Sequence, residues 1–246
     1  MYRYFIQPQL NAFTNSLIGY EMLIRKYADG RWQLPKDFAS IPIEDQVPVM
    51  AQTAKELSLK IKSVSFNLNR TQFIDPEMSA ALIAAQKAIF PVNLIVEVTE
   101  EAADKNVTIA QLKRQIRHFA THGIQFSLDD VGTGINTFDH ISSLLSLASE
   151  VKFAMQNYRR AHMTDKIHED LSFWQQIAKK EKLRLIVEGI EDDNDNHMLN
   201  DMDVAYRQGY YYGQPHLFEL KATKKTECAL SPFYYAVRYF SRIPTE

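Results

Sequence analysis

Two consecutive carboxylates, Asp129 and Asp130, are the residues in this sequence that most clearly suggest chemistry. They follow a short apolar run, residues 123–126, which predicts a buried strand. Neighbouring side chains on a strand point to opposite faces, so both carboxylates can reach one site only if the strand ends or kinks between them. Gly132 and Gly134 would permit such a turn. Crowded carboxylates repel one another without a cation, which favours a Mg²⁺ or Mn²⁺ site, although an exposed Asp-Asp-x-Gly turn explains this stretch equally well.

Other side chains able to bind a metal or a proton stand near the carboxyl ends of other predicted strands. These residues are Glu21, Asn67, Glu97, Lys152, Glu188 and Gln208. Their neighbours along each strand are apolar and should face a helix layer, which turns the polar residues toward the axis of a barrel. Burying several carboxylates together costs many kcal/mol without a cation. The strand ends therefore predict a metal-assisted catalytic or ligand-binding site.

The elements that would position these residues alternate between strands and helices. The predicted strands are 2–6, 17–24, 63–67, 92–98, 124–129, 150–154, 183–188 and 204–210. The predicted helices are 44–60, 72–89, 108–122, 136–147, 165–182, 192–199 and a terminal helix at 233–240. Gln7-Pro8 should end the first strand, and the short turn after it makes the first two strands antiparallel. The pattern predicts an α/β fold, a TIM-like (β/α)8 barrel with an antiparallel first strand.

The composition is that of an ordinary globular protein. The chain has 246 residues, of which 46% are hydrophobic and 24% charged, and its net charge of -2 gives no sign of a general nucleic-acid or membrane-surface binder. A single cysteine, Cys228, excludes an intrachain disulfide and a cysteine cluster for zinc. The sequence shows neither an apolar run long enough to cross a bilayer nor a leader segment. We therefore expect a cytoplasmic protein.

A series of short motifs occurs in a fixed order along the chain. They are Gln7-Pro8, Glu21-Met22-Leu23 with Arg25, Asn67-Leu68, Glu97-Val98-Thr99-Glu100, the run from Asp129 to Gly134, Glu188-Gly189-Ile190-Glu191, and Gln208-Gly209-Tyr210 with Pro215. Together they resemble the EAL domain, a bacterial family that hydrolyses cyclic di-GMP (c-di-GMP) and is named after a Glu-Ala-Leu motif. The resemblance implies one barrel domain over residues 1–246, with the motifs within 5–218 and a C-terminal helix or tail at 221–246.

The resemblance also implies roles for the residues at the strand ends, around two Mg²⁺ or Mn²⁺ ions. The implied ligands of the first ion are Glu21, Asn67, Glu97 and Asp129. Asp129 would bridge to the second ion with help from Asp130, and Glu188 and Gln208 would complete that side. The residues implied to act in catalysis are Glu21, Asp130, Lys152 and Glu188, with Lys152 orienting the attacking water or stabilising charge. Those implied to bind c-di-GMP are Gln7, Arg25 and Gln208, and Glu100 would support the loop after Asp130.

The sequence departs from the family pattern at four positions. Ala154 stands where the family usually has aspartate, which predicts a weak second ion, because losing an outer-shell group typically costs about ten- to a hundredfold in metal affinity or activity. Val131 replaces a phenylalanine in the loop that family members use to link the metal site with a dimer interface. Met22 and Lys26 replace alanine and tryptophan, and both changes should be tolerated.

Three functional hypotheses remain from the sequence. The leading one is an enzyme that hydrolyses c-di-GMP to linear pGpG with a metal-activated water at the carboxyl-terminal mouth of the barrel. The second is a receptor that binds c-di-GMP but turns it over slowly or not at all. The third is a protein-interaction scaffold, which the many buried carboxylates argue against. The expected partner is c-di-GMP, a homodimer is a further candidate assembly, and no membrane, DNA or RNA partner is expected.

Overall fold

The computed structural model describes residues 1–99, 107–134 and 136–220. The described strands are β1 (Tyr2–Asn11), β2 (Ser16–Ala28), β3 (Arg31–Gln33), β4 (Ser63–Asn69), β5 (Asn93–Thr99), β6 (Gln125–Leu128), β7 (Glu150–Ala154), β8 (Arg184–Glu188), β9 (Tyr206–Arg207) and β10 (His216–Leu217). The described helices are α1 (Ile43–Leu57), α2 (Arg70–Ile74), α3 (Pro76–Ile89), α4 (Ile109–Ala120), α5 (Phe138–Leu145), α6 (Met155–Arg160), α7 (Ile167–Glu181) and α8 (Asp193–Asp201). Glu100, Cys228 and the predicted C-terminal helix and tail at 221–246 lie outside the described residues.

Eight of the strands close into a barrel. The strands β2, β4, β5, β6, β7, β8 and β9 follow one another in parallel, and β1 joins the two ends of this series by pairing antiparallel with β2 and β9. The short strands β3 and β10 add to β2 and β1. This arrangement confirms the predicted (β/α)8 barrel with an antiparallel first strand. No helix among the described residues is long and apolar enough to cross a membrane.

The outer face of the barrel forms the hydrophobic core with the helices. The strand residues predicted to face the helix layer are buried there, including Phe66, Val96, Val151 and Val187. Burying a side chain of this kind contributes roughly 1.5–3 kcal/mol, so the register of each strand is strongly specified. The polar residues at alternate positions are thereby turned toward the barrel interior.

Helix α4 begins at its capping residue and buries the apolar face that the sequence predicts. In α4, Thr108 is the N-cap and its hydroxyl accepts a hydrogen bond from the Gln111 backbone N–H, while the Gln111 side chain reaches back to the cap. The apolar stripe Leu112, Ile116 and Phe119 is buried, as its helical spacing predicts. A capping box of this type begins a helix at a defined residue.

Several predicted boundaries are wrong. The strand predicted at 204–210 is reduced to Tyr206–Arg207, so Gln208 follows the strand. Two further differences have a clear physical cause. Pro8 does not end the first strand, because β1 continues to Asn11. Pro8 lies between the residues that pair with β10 and those that pair with β9, where its missing N–H removes little from the sheet. The helix predicted at 72–89 is divided at Asp75, which caps α3 with its carboxylate and precedes Pro76. The short helix α6 was not predicted at all.

Candidate active site

A cluster of buried charges occupies the carboxyl-terminal mouth of the barrel. The Nζ atom of Lys152 lies 2.9 Å from Glu97 Oε2 and 3.8 Å from Glu21 Oε2, and it also forms an ion pair with Glu188. Asp129 follows β6 and interacts electrostatically with the same ammonium. The side chain of Lys152 is 0% exposed to solvent. Five residues predicted from separate strand ends are therefore brought together.

The cluster holds more negative than positive charge. Burial raises the pKa of Glu97 and of Glu188 well above the ordinary value, and it raises that of Asp129 to about 7. Burial alone would lower the pKa of Lys152, but Glu188, Glu21 and Glu97 raise it well above its ordinary value. One ammonium cannot compensate for four nearby carboxylates, so the site favours an additional cation or proton.

Glu21 accepts a hydrogen bond from a side-chain amide at each of its two carboxylate oxygens. Asn67 Nδ2 donates to Glu21 Oε1 at 2.8 Å, and Gln208 Nε2 donates to Glu21 Oε2. Burial tends to raise the pKa of Glu21, but Lys152 and these two amides together lower it below the ordinary value. Glu21 is therefore held as an anion.

Gln208 connects Glu21 with the first strand. Its Nε2 also donates to Gln7 Oε1 at 3.2 Å, and Gln7 Nε2 in turn donates to the Gly213 carbonyl at 3.1 Å. Both glutamines are buried. The structure thus places Gln208 beside Glu21 and Gln7, and its implied roles toward the second ion and c-di-GMP stay predictions.

The chain turns between the two consecutive aspartates. β6 ends at Leu128, and Asp130 adopts a left-handed backbone conformation with a φ of 52°. The Asp130 N–H donates to Asp129 Oδ1 at 2.9 Å, and both side chains line one cavity of about 750 Å³. The sequence required the strand to stop or kink between the two aspartates; the strand ends one residue earlier, at Leu128, and the left-handed turn at Asp130 lets both side chains line the same cavity.

Two asparagines that sequence reasoning missed hold this turn. Asn157 Nδ2, on α6, donates to Asp130 Oδ1 at 2.7 Å. Asn136 Nδ2 donates to the Asp129 carbonyl at 2.8 Å. Neither residue lies at a strand end, so the pattern that identified the carboxylates could not identify their partners.

Arg25 lies beside the cluster and outside its ion pairs. Its guanidinium lies 5.7 Å from the centroid of the Phe5 ring and donates to the Ile24 carbonyl at 2.9 Å. Burial lowers the pKa of Arg25, while Glu21 acts in the opposite direction. Arg25 and Glu21 therefore interact electrostatically. Glu100, the remaining predicted residue, lies outside the described part of the chain.

Comparison with known proteins identifies the architecture. The family model described as "EAL domain" matches residues 2–215. The chain belongs to the EAL domain family. It is 24% identical over 238 residues to the cyclic di-GMP phosphodiesterase PdeL of Escherichia coli, covering 85% of this chain and 61% of the relative.

Solved EAL structures share the fold of this EAL domain. The FimX EAL domain from Pseudomonas aeruginosa, bound to c-di-GMP, is 21% identical with a TM-score of 0.72, covering 90% of this chain and 94% of that one. The YkuI protein from Bacillus subtilis, in complex with c-di-GMP and calcium, is 20% identical with a TM-score of 0.72. The match covers 98% of this chain and 62% of that one. The chain spans 20% to 61% of the length of the curated relatives it matches.

Two departures from the EAL pattern are buried beside the cluster. Ala154 is 1% exposed and pairs in register with Glu188 on β8. A carboxylate at this position would therefore stand next to Glu188. Val131 is also buried, and its N–H donates to the Lys152 carbonyl at 3.0 Å. The loop is thus tied to β7 through the backbone, whatever side chain occupies position 131.

The donor atoms of this EAL domain suit a hard divalent cation. The side chains that could hold one offer oxygen ligands only: Glu21, Asn67, Glu97, Asp129, Asp130 and Glu188. Within the described ranges, no three His, Cys, Asp or Glu side chains are already arranged as a metal site. The positive charge in the cluster comes from Lys152. The cluster has more carboxylates than ammonium groups, and a bound divalent cation would compensate this excess of negative charge.

Proposed function

We propose that this EAL domain is a metal-dependent phosphodiesterase that hydrolyses c-di-GMP to linear pGpG. The observation that carries the proposal is the buried cluster of four carboxylates around one lysine at the mouth of the barrel. In barrel enzymes the active site lies at this end of the strands. A structural role would be served better by matched charges or apolar side chains.

The chemistry of a phosphodiester suits this cluster. Bound Mg²⁺ or Mn²⁺ would neutralise phosphate charge and make an attacking water more acidic. Asn67 and Gln208 hold the two oxygens of Glu21 in fixed directions, and Lys152 does the same for one oxygen of Glu97. These contacts organise ligands before substrate binds, which lowers the reorganisation needed during reaction.

The surroundings of the cluster offer room and charge for a dinucleotide. The cavity beside Asp129 and Asp130 has a volume of about 750 Å³, within the range of small-molecule sites. Arg25 supplies a guanidinium on the Glu21 side, a group that pairs well with phosphate oxygens. The proposal also draws on the relatives, since PdeL is named a c-di-GMP phosphodiesterase and the FimX and YkuI structures contain c-di-GMP.

The proposal is tested by measuring pGpG formation from c-di-GMP with and without Mg²⁺ or Mn²⁺. The wild-type protein should form pGpG only with the cation, and Glu21→Gln should abolish the reaction. Glu77→Gln, an exposed glutamate on α3, is the matched control and should leave the rate unchanged. Equal turnover by Glu21→Gln, or none by the wild-type protein with either cation, would contradict the proposal.

A second candidate, a c-di-GMP receptor with little turnover, is favoured by one observation. Ala154 leaves no carboxylate beside Glu188 at the position where the EAL pattern has one. The variant Ala154→Asp separates the two functions. If the protein is an enzyme with a weak second ion, the variant should raise activity or Mn²⁺ affinity by about ten- to a hundredfold. Tight c-di-GMP binding without turnover in both proteins would favour the receptor.

A further inference from the structure

Three fully buried polar side chains lie on one rung of the barrel, behind the candidate active site. Glu97 on β5 pairs in register with Ser127 on β6, and Ser127 pairs with Glu150 on β7. Residues on one rung of a sheet point to the same face, here the barrel interior. All three residues are 0% exposed.

Each of these side chains has one oxygen without a protein partner. Glu97 Oε1, Ser127 Oγ and Glu150 Oε1 make no hydrogen bond within the described part of the chain. The other carboxylate oxygens are engaged, because Glu97 Oε2 accepts from Lys152 at 2.9 Å and Glu150 Oε2 accepts from Arg184 Nε at 2.8 Å. A buried polar atom left unpaired costs about 1–3 kcal/mol, and such atoms are rare in folded proteins.

Hydrogen-bond balance identifies what can satisfy all three atoms. When Glu97 and Glu150 are both ionised, as they are when Glu97 holds a cation, the Ser127 hydroxyl has one proton and can donate to only one of the two carboxylates. A water molecule can donate to both Glu97 Oε1 and Glu150 Oε1 while it accepts from Ser127 Oγ. Buried waters typically make about three hydrogen bonds to otherwise unsatisfied groups. We propose that the barrel interior has a water-binding site formed by Glu97, Ser127 and Glu150.

This site connects Glu97, in the charge cluster at the mouth of the barrel, with Glu150 at the amino-terminal end of β7. Glu150 is the first residue of β7 and pairs in register with Arg184, the first residue of β8. The Arg184 side chain is 27% exposed and its guanidinium lies 5.9 Å from the centroid of the Tyr206 ring. A continuous chain of contacts therefore runs from Arg184 through Glu150 and the water to Glu97.

The water makes Ser127, Glu150 and Arg184 positioning residues for Glu97. With Lys152 on Oε2 and the water on Oε1, the Glu97 carboxylate is held at both oxygens. Each carboxylate oxygen has two acceptor sites, so the water leaves room for a cation on the same group. The positioning role rests on the proposed function, in which Glu97 holds a cation, whereas the water site does not depend on it.

A high-resolution crystal structure of the wild-type protein tests the water site directly. The expected result is an ordered water within about 2.6–3.2 Å of Glu97 Oε1, Ser127 Oγ and Glu150 Oε1. A direct carboxylate–carboxylate hydrogen bond, a dry interior, or a bound cation in place of the water would overturn the proposal.

Mn²⁺ affinity, measured by calorimetry, tests the positioning role. Ser127→Ala should weaken Mn²⁺ binding about tenfold, because it removes one of the three groups that hold the water. Ser65→Ala is the matched control, since Ser65 is an equally buried interior serine that accepts a hydrogen bond from Gln9 at 3.4 Å. Thermal unfolding of both variants should be similar.

The outcomes separate this inference from the proposed function. Equal Mn²⁺ affinity in Ser127→Ala and Ser65→Ala would overturn the positioning role while the enzyme proposal stands. No Mn²⁺ binding by the wild-type protein would overturn both the positioning role and the proposed function. The crystal structure decides the water site in either case.

Discussion

The two ends of the barrel interior both bury carboxylates, but they balance charge differently. At the amino-terminal end, one carboxylate, Glu150, faces one guanidinium, Arg184. At the carboxyl-terminal end, one ammonium, Lys152, faces four carboxylates: Glu21, Glu97, Asp129 and Glu188. The same barrel therefore contains a matched pair and an unmatched cluster.

The difference separates a structural interaction from a ligand site. A buried ion pair can roughly compensate its own desolvation when its geometry is good. An excess of buried anions cannot, and the raised pKa values of Glu97, Asp129 and Glu188 record that cost. Such a cost is expected where a ligand or cation completes the site.

Removal of the lysine should have the largest effect. Lys152→Met leaves the carboxylates without a counter-ion, and the free energy of unfolding should fall by about 3–5 kcal/mol. Turnover of c-di-GMP should also be lost. Denaturant unfolding measures the first effect, with Lys55→Met on the exposed face of α1 as the control. An unchanged midpoint in Lys152→Met would mean that the ammonium does not hold the cluster together.

Disruption of the matched pair should have a smaller effect. Arg184→Met leaves Glu150 unpaired, but water can reach the partly exposed arginine position, so the loss should be about 1–3 kcal/mol. The double variant Glu150→Leu/Arg184→Met removes both charges and should recover most of that loss. If the double variant is as unstable as the single one, the pair contributes through packing and the comparison of charges fails.

The smallest expected effect is the change in protein stability with pH, which depends on the carboxylates of the carboxyl-terminal cluster. The pKa of Asp129 rises from 3.8 to about 7 on folding. A raised carboxyl pKa contributes stability that is fully present below the unfolded pKa and is lost as pH rises through the folded pKa. The stability of cation-free protein should therefore fall between about pH 4 and pH 7, and the raised pKa values of Glu97 and Glu188 act in the same direction.

Glu21 and added metal provide the checks on that pH effect. The pKa of Glu21 is lowered, so its contribution is lost as pH falls, which opposes the main trend at the acid end. Mn²⁺ binds the ionised carboxylates and should remove the decline toward pH 7. Denaturant unfolding at a series of pH values, with and without Mn²⁺, measures both curves. Cation-free stability that rises over this window would contradict the charge imbalance.

Much of the fold and the membership of the site could be predicted from the sequence. Strand β7 was predicted with the bounds at which it occurs, Glu150–Ala154, because apolar residues alternate with polar ones there. The same alternation identified Glu21, Glu97 and Glu188 as inward-facing residues. Alternation depends only on the local geometry of a strand, so it can be read from a single sequence.

The pairing of these side chains was decided by the tertiary structure alone. The position of Lys152 among the carboxylates, the hydrogen bond from Asn157 to Asp130 and the match of Glu150 with Arg184 each join separate elements. The register between neighbouring strands selects such partners, and it depends on how the whole barrel closes and packs. The sequence by itself determined which residues face the barrel interior, whereas only the folded barrel determined which of them meet, because facing is a local property of a strand and meeting is not.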